Sequence, residues 1–297
     1  MTDELDRLFA RFNGAFAPNT IAAYRSDFAN YSNWCKLRDI SPFKASAAQL
    51  ADYIECQAQT HKCSSVERRV TCIGTILRLS NLPDITHEAE CVLALKRMRR
   101  RKGSAPRQAV PLTREVLKPL LAVCTADTRG QRDRVMLLLG YETMRRRSEL
   151  CRFCFEDIEA LPNGNTGLRL RFSKTDQYGR GKLIPISPRL LAALKDWREP
   201  CDGHGYILRS VHKSGAVGKQ LHPASLCRRL KELQQLAALD LNGELSGHSF
   251  RVGAALDLLE QGEPLPKIML RGGWQSESTV IRYLREWQAL ESIQHID

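Results

Sequence analysis

The sequence predicts a mainly α-helical protein in two parts. A helical N-terminal domain comes first, followed by an α-rich domain with a small antiparallel β-sheet. Three observations carry that expectation. Apolar residues recur at helical spacing through residues 1–102. The stretch "GSAPRQAV", residues 103–110, has helix breakers and no apolar periodicity, as an interdomain linker does. Beyond it, the segments "GLRLRFSKT" and "GKLIPIS" alternate as strands do and are joined by "DQYGR".

The elements follow in order. "NTIAAYRSDFANYSNWCKL" places Ile21, Tyr24, Phe28, Tyr31 and Cys35 on one helical face, with Asn19 available as cap. In "SAAQLADYIE", Ser46 and Gln49 have the spacing of a capping box. "SSVERRVTCIGTILRL" repeats that spacing with Ser64 and Glu67. It is expected to bury Val66, Val70, Ile73 and Leu77 and to show Arg68 and Arg69 on its other face. A fourth helix, about residues 87–101, ends in the basic run "KRMRRRK". After the linker, "TREVLKPLLAVC" and "QRDRVMLLLGYE" read as helices, then comes the hairpin. Further helices are expected near 188–198, 223–238, 248–261, 264–270 and 278–288. No internal repeat or low-complexity segment is visible.

The chain has 297 residues and a formal net charge of +12. Its hydrophobic fraction of 43% is enough for real cores. Such a basic balance points to a polyanionic partner, nucleic acid first and an acidic membrane surface second. No apolar run approaches a membrane span, and "MTDELDRLF" lacks the basic start and apolar core of a signal peptide. A cytoplasmic, nucleoid-associated protein is therefore expected. The run of Arg97, Arg99, Arg100, Arg101 and Lys102 exceeds what a helix dipole attracts, and reads as a contact to the DNA backbone. Arg68 and Arg69 join it as candidates, and base readout is expected from Arg228, Arg229 and Lys231 on the helix starting near Pro223 or from the N-terminal helices. Of ten cysteines only Cys151 and Cys154 form a C-x-x-C, with no second ligand pair nearby. They read as reduced, mostly buried thiols, and no metal site is expected.

Four short motifs carry chemistry. In "YETMRRRSELCRF" three adjacent arginines repel one another unless an anion sits among them. In "SKTDQYGR", Lys174 stands at a strand end. In "GHSFRVGAA", His248 and Arg251 lie three apart, on one face of a helix near its first turn, where the helix end already favours negative charge. In "GGWQSESTVIRYLRE", two glycines break the chain before Trp274, and Tyr283 follows nine residues later on a helix whose apolar face is Val280, Ile281 and Leu284.

Taken in order, "RRSEL", "SKT", "GHSFRVGAA", "IMLRGGW" and a tyrosine nine after the tryptophan resemble the tyrosine recombinase (phage integrase) family, especially its Cre-like members. The resemblance spans the full chain. It implies the DNA breaking-rejoining fold, with residues 1–102 as a core-binding, DNA-clamping domain and residues 111–297 as the catalytic domain. It also implies a catalytic set of Arg146, Glu149, Lys174, His248, Arg251, Trp274 and Tyr283. Tyr283 is then the nucleophile and forms a 3′-phosphotyrosyl link. Arg146 and Arg251 clamp the phosphate, His248 and Trp274 donate to it, Lys174 protonates the leaving 5′ oxygen, and Glu149 orients its neighbours. The family's commonest residue at the Trp274 position is His, and tryptophan is the Cre-like variant. One departure stands out. The family usually has a small-apolar pair before its catalytic arginine, whereas here Thr143, Met144 and Arg145 precede Arg146. Arg146 is chosen because the family places the arginine three before the glutamate, which leaves Arg145 and Arg147 pointing elsewhere.

The implied partner is duplex DNA with an inverted-repeat target site, bound by a homotetramer on two paired sites, with strands exchanged through a Holliday junction. Neither metal, ATP nor any other cofactor is expected. The tail "REWQALESIQHID" continues the Tyr283 helix with a short apolar stripe, which covers either its own domain or, as the resemblance to Cre-like members implies, a neighbouring protomer. Three alternatives compete: a catalytically decayed DNA-binding or architectural protein, a type IB topoisomerase that relaxes supercoils as a monomer, and a reader of anionic membranes. The first has no reason to keep all seven positions. The second would relax plasmids without a target site. The third lacks a basic amphipathic helix with aromatic residues on its other face.

Overall fold

The computed structural model describes residues 2–103, 108–171, 181–278 and 280–281. The chain divides into two compact units, Met1–Arg107 and Gln108–Asp297.

The first unit is helical: α1 (Thr2–Ala10), α2 (Pro18–Lys36), α3 (Ala47–Thr60), α4 (Cys63–Leu79) and α5 (Ala89–Lys102). Its core is aromatic and aliphatic, with Phe9, Phe28, Tyr31, Leu50, Tyr53, Ile54, Val66 and Ile73 fully buried. Each such side chain contributes about 1.5–3 kcal/mol by leaving water. Tyr53 makes T-shaped contacts with two rings, Tyr31 at 5.1 Å and Trp34 at 5.4 Å between centroids. The capping box of α3 forms in both directions: Ser46 Oγ accepts from Gln49 N at 3.2 Å, and Gln49 Oε1 accepts from Ser46 N at 2.9 Å.

Two expected caps are corrected. Asn19 lies inside the first turn of α2, which starts at Pro18 after an Ala17 cap without a side-chain bond. Proline at the first helical position has its φ preset and lacks only an N–H that would be orphaned there anyway. Ser64 lies inside α4, which starts at Cys63 after Lys62. Cys63 is buried with its Sγ 3.3 Å from the Gly103 carbonyl, and this long-range contact draws the residue into the helix. The helix α1 was not expected. Leu8 and Phe9 anchor it, and the Phe9 ring meets Phe12 edge-on at 5.2 Å.

The second unit contains α6 (Arg114–Ala122), α7 (Thr128–Thr143), α8 (Arg147–Leu150), β1 (Ile158–Ala160), β2 (Thr166–Leu170), β3 (Lys182–Ile186), α9 (Pro188–Arg198), α10 (Pro223–Leu236), α11 (Ser249–Glu260) and α12 (Leu265–Gly272). The sheet is antiparallel in the order β1-β2-β3, with Ile158 opposite Leu168 and Leu168 opposite Ile184. The expected hairpin is therefore joined by one strand more, too short at three residues to show alternation in the sequence. The residues between Arg171 and Gly181, Lys174 among them, lie outside the described residues.

At the centre is α7, whose consecutive Val135, Met136, Leu137, Leu138 and Leu139 are all buried. A helix apolar all round belongs inside a core. Two glycines let α11 come close to its surroundings. A Cβ on Gly140 would stand 2.6 Å from the Phe250 ring, and one on Gly253 would stand 2.0 Å from the Leu112 backbone. Close packing here brings the start of α11 beside the end of α7. Among the described residues no helix is long and apolar enough to cross a membrane, and no cluster of metal-ligating side chains occurs. All ten cysteines are free thiols.

Candidate active site

The site is built where α7 ends. Met144 caps that helix in the left-handed region, at φ 53° and ψ 32°. For a residue with a Cβ this costs about 1–2 kcal/mol. The reversal puts successive side chains on opposite sides of the chain. Arg145 goes inward and is 2% exposed, donating from Nε to the Thr143 carbonyl at 2.7 Å and from Nη2 to the Arg271 carbonyl. Burial pushes its pKa down to about 10, against the pull of Glu149 and with the push of Arg146. Arg146 goes outward at the cap of α8. Arg147 is exposed, and its Nη1 lies 3.5 Å from Cys227 Sγ.

Glu149 holds Arg146 twice. Its Oε2 accepts from the Arg146 backbone N–H and its Oε1 from Arg146 Nη1, each at 3.0 Å. The carboxylate is buried while the guanidinium is 28% exposed, so the pair presents a fixed cation at a surface. The three-residue spacing read from "RRSEL" thus closes a ring at a helix start rather than along a helix face.

Arg251 enters from the first turn of α11 and is 1% exposed. Its Nη1 donates to the Met144 carbonyl at 2.5 Å and to the Gly272 carbonyl at 3.0 Å. Its guanidinium lies over the Trp274 ring, 4.4 Å from the centroid. Trp274 follows α12, which ends at Gly273 in the left-handed region, φ 68°. Its backbone N–H donates to the Met269 carbonyl at 3.0 Å.

His248 is the residue before α11 and is exposed at the mouth of the site. Its pKa is held below the ordinary histidine value, first by the partial burial of its ring, then by Arg251 and Arg146. The two arginines, 105 positions apart in the sequence, thus act on one imidazole. The unfolded chain protonates this residue near the ordinary 6.5, and the native state only at lower pH. Its contribution to stability is therefore full above that value and declines as pH falls toward the native pKa. The His248 ring proton resonance should titrate with a midpoint below 6.5 in the free protein. The midpoint should rise when a duplex brings a phosphate between the arginines. A midpoint unmoved by DNA would place the phosphate elsewhere.

The structure brings Arg146, Glu149, His248, Arg251 and Trp274 together. Lys174 and Tyr283 lie outside the described residues, as does the tail after Ile281. Sequence reading missed Lys182, at the start of β3, whose Nζ donates to the Leu270 carbonyl. Burial, then Arg145, holds its pKa below the ordinary lysine value. One lysine among many in a basic chain gives no local signal.

The candidate DNA contacts divide. Arg69 does not show on the outer face of α4 as expected. It is 13% exposed and turns onto Asp27, itself 2% exposed, and onto Gln57. Arg229 is likewise drawn inward, 17% exposed, donating to the fully buried Asp133 at 2.8 Å and to Glu232. A buried carboxylate needs a cation more than the surface does. Arg68 also pairs with Asp27 but stays half-exposed. Arg97 and Arg101 pair with Glu55, Arg99 with Glu67 and Lys231 with Glu244, all at exposed positions. Lys102 donates to the Ala58 and His61 carbonyls at the end of α3. Arg100 is exposed, and Arg228 donates to Ser225 Oγ at 3.4 Å.

With this geometry in place, comparison with known proteins gives four findings. A family model described as the phage integrase family matches residues 111–289. The integrase/recombinase xerD homolog of Selenomonas ruminantium is 30% identical over 288 residues, covering 93% of this chain and 84% of that protein. The recombinase cre of Escherichia phage P1 is 25% identical over 291 residues, covering 91% of this chain and 85% of that one, so the likeness to Cre is moderate. The fold is shared with a lambda integrase tetramer bound to a Holliday junction, at a TM-score of 0.66 and 16% identity, over 94% of this chain and 75% of that one.

Proposed function

The chain belongs to the phage integrase family and is a tyrosine site-specific recombinase that cleaves and rejoins DNA; on that premise we propose how its own residues perform the reaction. Arg146 and Arg251 clamp the non-bridging oxygens of the scissile phosphate. Their charge counts most where the transition state gathers negative charge. Arginine suits the task because its planar fork meets two oxygens and stays protonated. His248 and the indole N–H of Trp274 donate to the same phosphate. Trp274 can orient but cannot shuttle a proton.

Tyr283 Oη gives up its phenolic proton to solvent as it attacks phosphorus, and the bond to the 5′ oxygen breaks. Lys174 gives that oxygen its proton. The product is a 3′-phosphotyrosyl link and a free 5′-hydroxyl. The phosphoester energy stays in the covalent bond, so rejoining needs no ATP. Every charged role is filled by a side chain, so the reaction as written uses no metal.

The observation that carries this reading is the convergence of Arg146 and Arg251 on His248, with Trp274 on the Arg251 guanidinium. Three separate elements supply these groups. The fixed Glu149–Arg146 ring adds to it, since a preorganised cation loses little in reorganising when the phosphate arrives.

The same proposal assigns residues 1–102 to clamping DNA, 103–110 to a linker and 111–297 to catalysis. The exposed Arg68, Arg97, Arg99, Arg100 and Arg101, with Lys102, meet the DNA backbone in the first unit, and Arg228 and Lys231 in the second reach base edges. Partner carboxylates such as Glu55 and Glu67 must yield these cations to phosphate, which sharpens the salt dependence of binding. Strand exchange through a Holliday junction in a tetramer, with the C-terminal tail docked on a neighbour, completes the reading. The shared fold of the lambda integrase tetramer bound to such a junction supports the tetramer and the junction.

A nicked duplex carrying the inverted repeats that flank the gene tests the chemistry. Incubated with the full chain in EDTA, it should yield a covalent protein–DNA complex in a single turnover. A complex that forms only when a divalent metal is restored would overturn the assignment of charge to side chains. Relaxation of plasmids lacking the repeats would favour a topoisomerase instead.

A further inference from the structure

The end of α12 is held in an unusual way. Its last three carbonyls each accept a hydrogen bond from a different cation: Leu270 from Lys182 Nζ, Arg271 from Arg145 Nη2 and Gly272 from Arg251 Nη1. The three donors come from three places in the fold, β3, the α7–α8 connection and α11. A helix C-terminus carries about half a negative charge on its unpaired carbonyls. Left bare, this one would stand beside Arg251 and oppose the approach of a phosphate.

We propose that Arg145 and Lys182 are positioning residues for strand cleavage. Together with Arg251 they clamp and neutralise the end of α12, and so fix Trp274 on the Arg251 guanidinium. The inference rests on the reading of Arg146, His248, Arg251 and Trp274 as the phosphate site.

Geometry favours this role over direct contact with DNA. Arg145 is 2% exposed and spends Nε and Nη2 on the Thr143 and Arg271 carbonyls. Lys182 is turned onto the Leu270 carbonyl. The segment they hold leads straight to the ring. Gly272 lies against Trp274 so closely that a Cβ would stand 1.8 Å from the indole, and a Cβ on Gly273 would stand 2.6 Å from Arg145 Nη1. Gly273 also adopts φ 68°, which a side chain disfavours. The backbone at 272–273, the Arg145 guanidinium and the Trp274 ring therefore fit as one unit, and a shift of any of them moves the indole.

The test compares Arg145→Leu, Arg145→Lys and Lys182→Met with the unaltered full chain. The probe is a nicked duplex recovered by binding from a random-sequence library. The protein carries 5-fluorotryptophan, and Trp274→Phe assigns the fluorine resonance of Trp274 among the four tryptophans. Arg145→Leu should slow single-turnover cleavage about tenfold, the effect of one or two lost hydrogen bonds on a barrier. Affinity for the duplex should be unchanged and the Trp274 resonance should shift or broaden. Arg145→Lys should recover part of the rate. Lys182→Met, near the surface and safe for folding, should move the same resonance and slow cleavage by a smaller factor.

Unchanged cleavage and an unmoved resonance in Lys182→Met and in whichever Arg145 variant folds would overturn the inference. So would a loss of affinity equal to the loss of rate. Arg146→Ala, run beside them, separates the two ideas. If it cleaves as fast as the unaltered chain, the phosphate-site reading itself has failed, whatever the Arg145 variants do.

Discussion

Tyr283→Phe should bind target DNA as the unaltered protein does and form no covalent complex with it. The substitution removes one hydroxyl and keeps the ring, so packing and charge are preserved while the attacking atom is lost. A phenol is mostly protonated at neutral pH and becomes a nucleophile only in a strongly positive setting. On the proposed reading, that setting is the cations gathered at the end of α7 and the start of α11. Denaturing gels after incubation with a nicked suicide duplex make the measurement. A trapped complex in the Phe variant would assign the nucleophile to another residue, with Tyr178 the first to test.

The second large effect belongs to Arg146. Its replacement by alanine should lower the cleavage rate by about 10²–10³, the usual cost of losing one transition-state donor. The fold should survive, because Glu149 keeps its bond to the residue 146 backbone N–H and the lost guanidinium was partly in solvent. Arg147→Ala should leave the chemistry nearly intact, since that side chain is exposed and turned toward Cys227. Arg145 variants should fall between the two. If Arg145→Ala were the most damaging of the three, the assignment of the phosphate clamp would be wrong by one residue. Single-turnover rates on one duplex, with melting temperatures alongside, decide the order.

Arg145 and Arg146 show what could be read in advance. The spacing of "RRSEL" marks Arg146 and Glu149 as a pair, because three residues is a local distance that any helical start honours. It does not say where Arg145 goes. That depends on Met144 adopting a left-handed conformation and on the carbonyls of α12, some 126 residues further on. Similarly, helical periodicity finds α4 and its buried Val66, Val70, Ile73 and Leu77. It cannot foresee that Arg69 turns inward to a carboxylate on α2.

The mainly helical class, the hairpin and the ordered motifs that name the family were legible along the chain. All of these rest on periodicity, turn chemistry and spacing, which are set within a few residues. Only the tertiary structure decided which cations are available to a phosphate and which are consumed inside. Arg69 and Arg229 neutralise buried carboxylates, Arg145 and Lys182 satisfy the carbonyls of α12, and Arg146 is held out toward solvent by Glu149. The physical reason is that a buried charge or carbonyl must find a partner wherever the fold provides one. Apart from Glu149, three positions from Arg146, those partners lie tens to more than a hundred positions away along the chain.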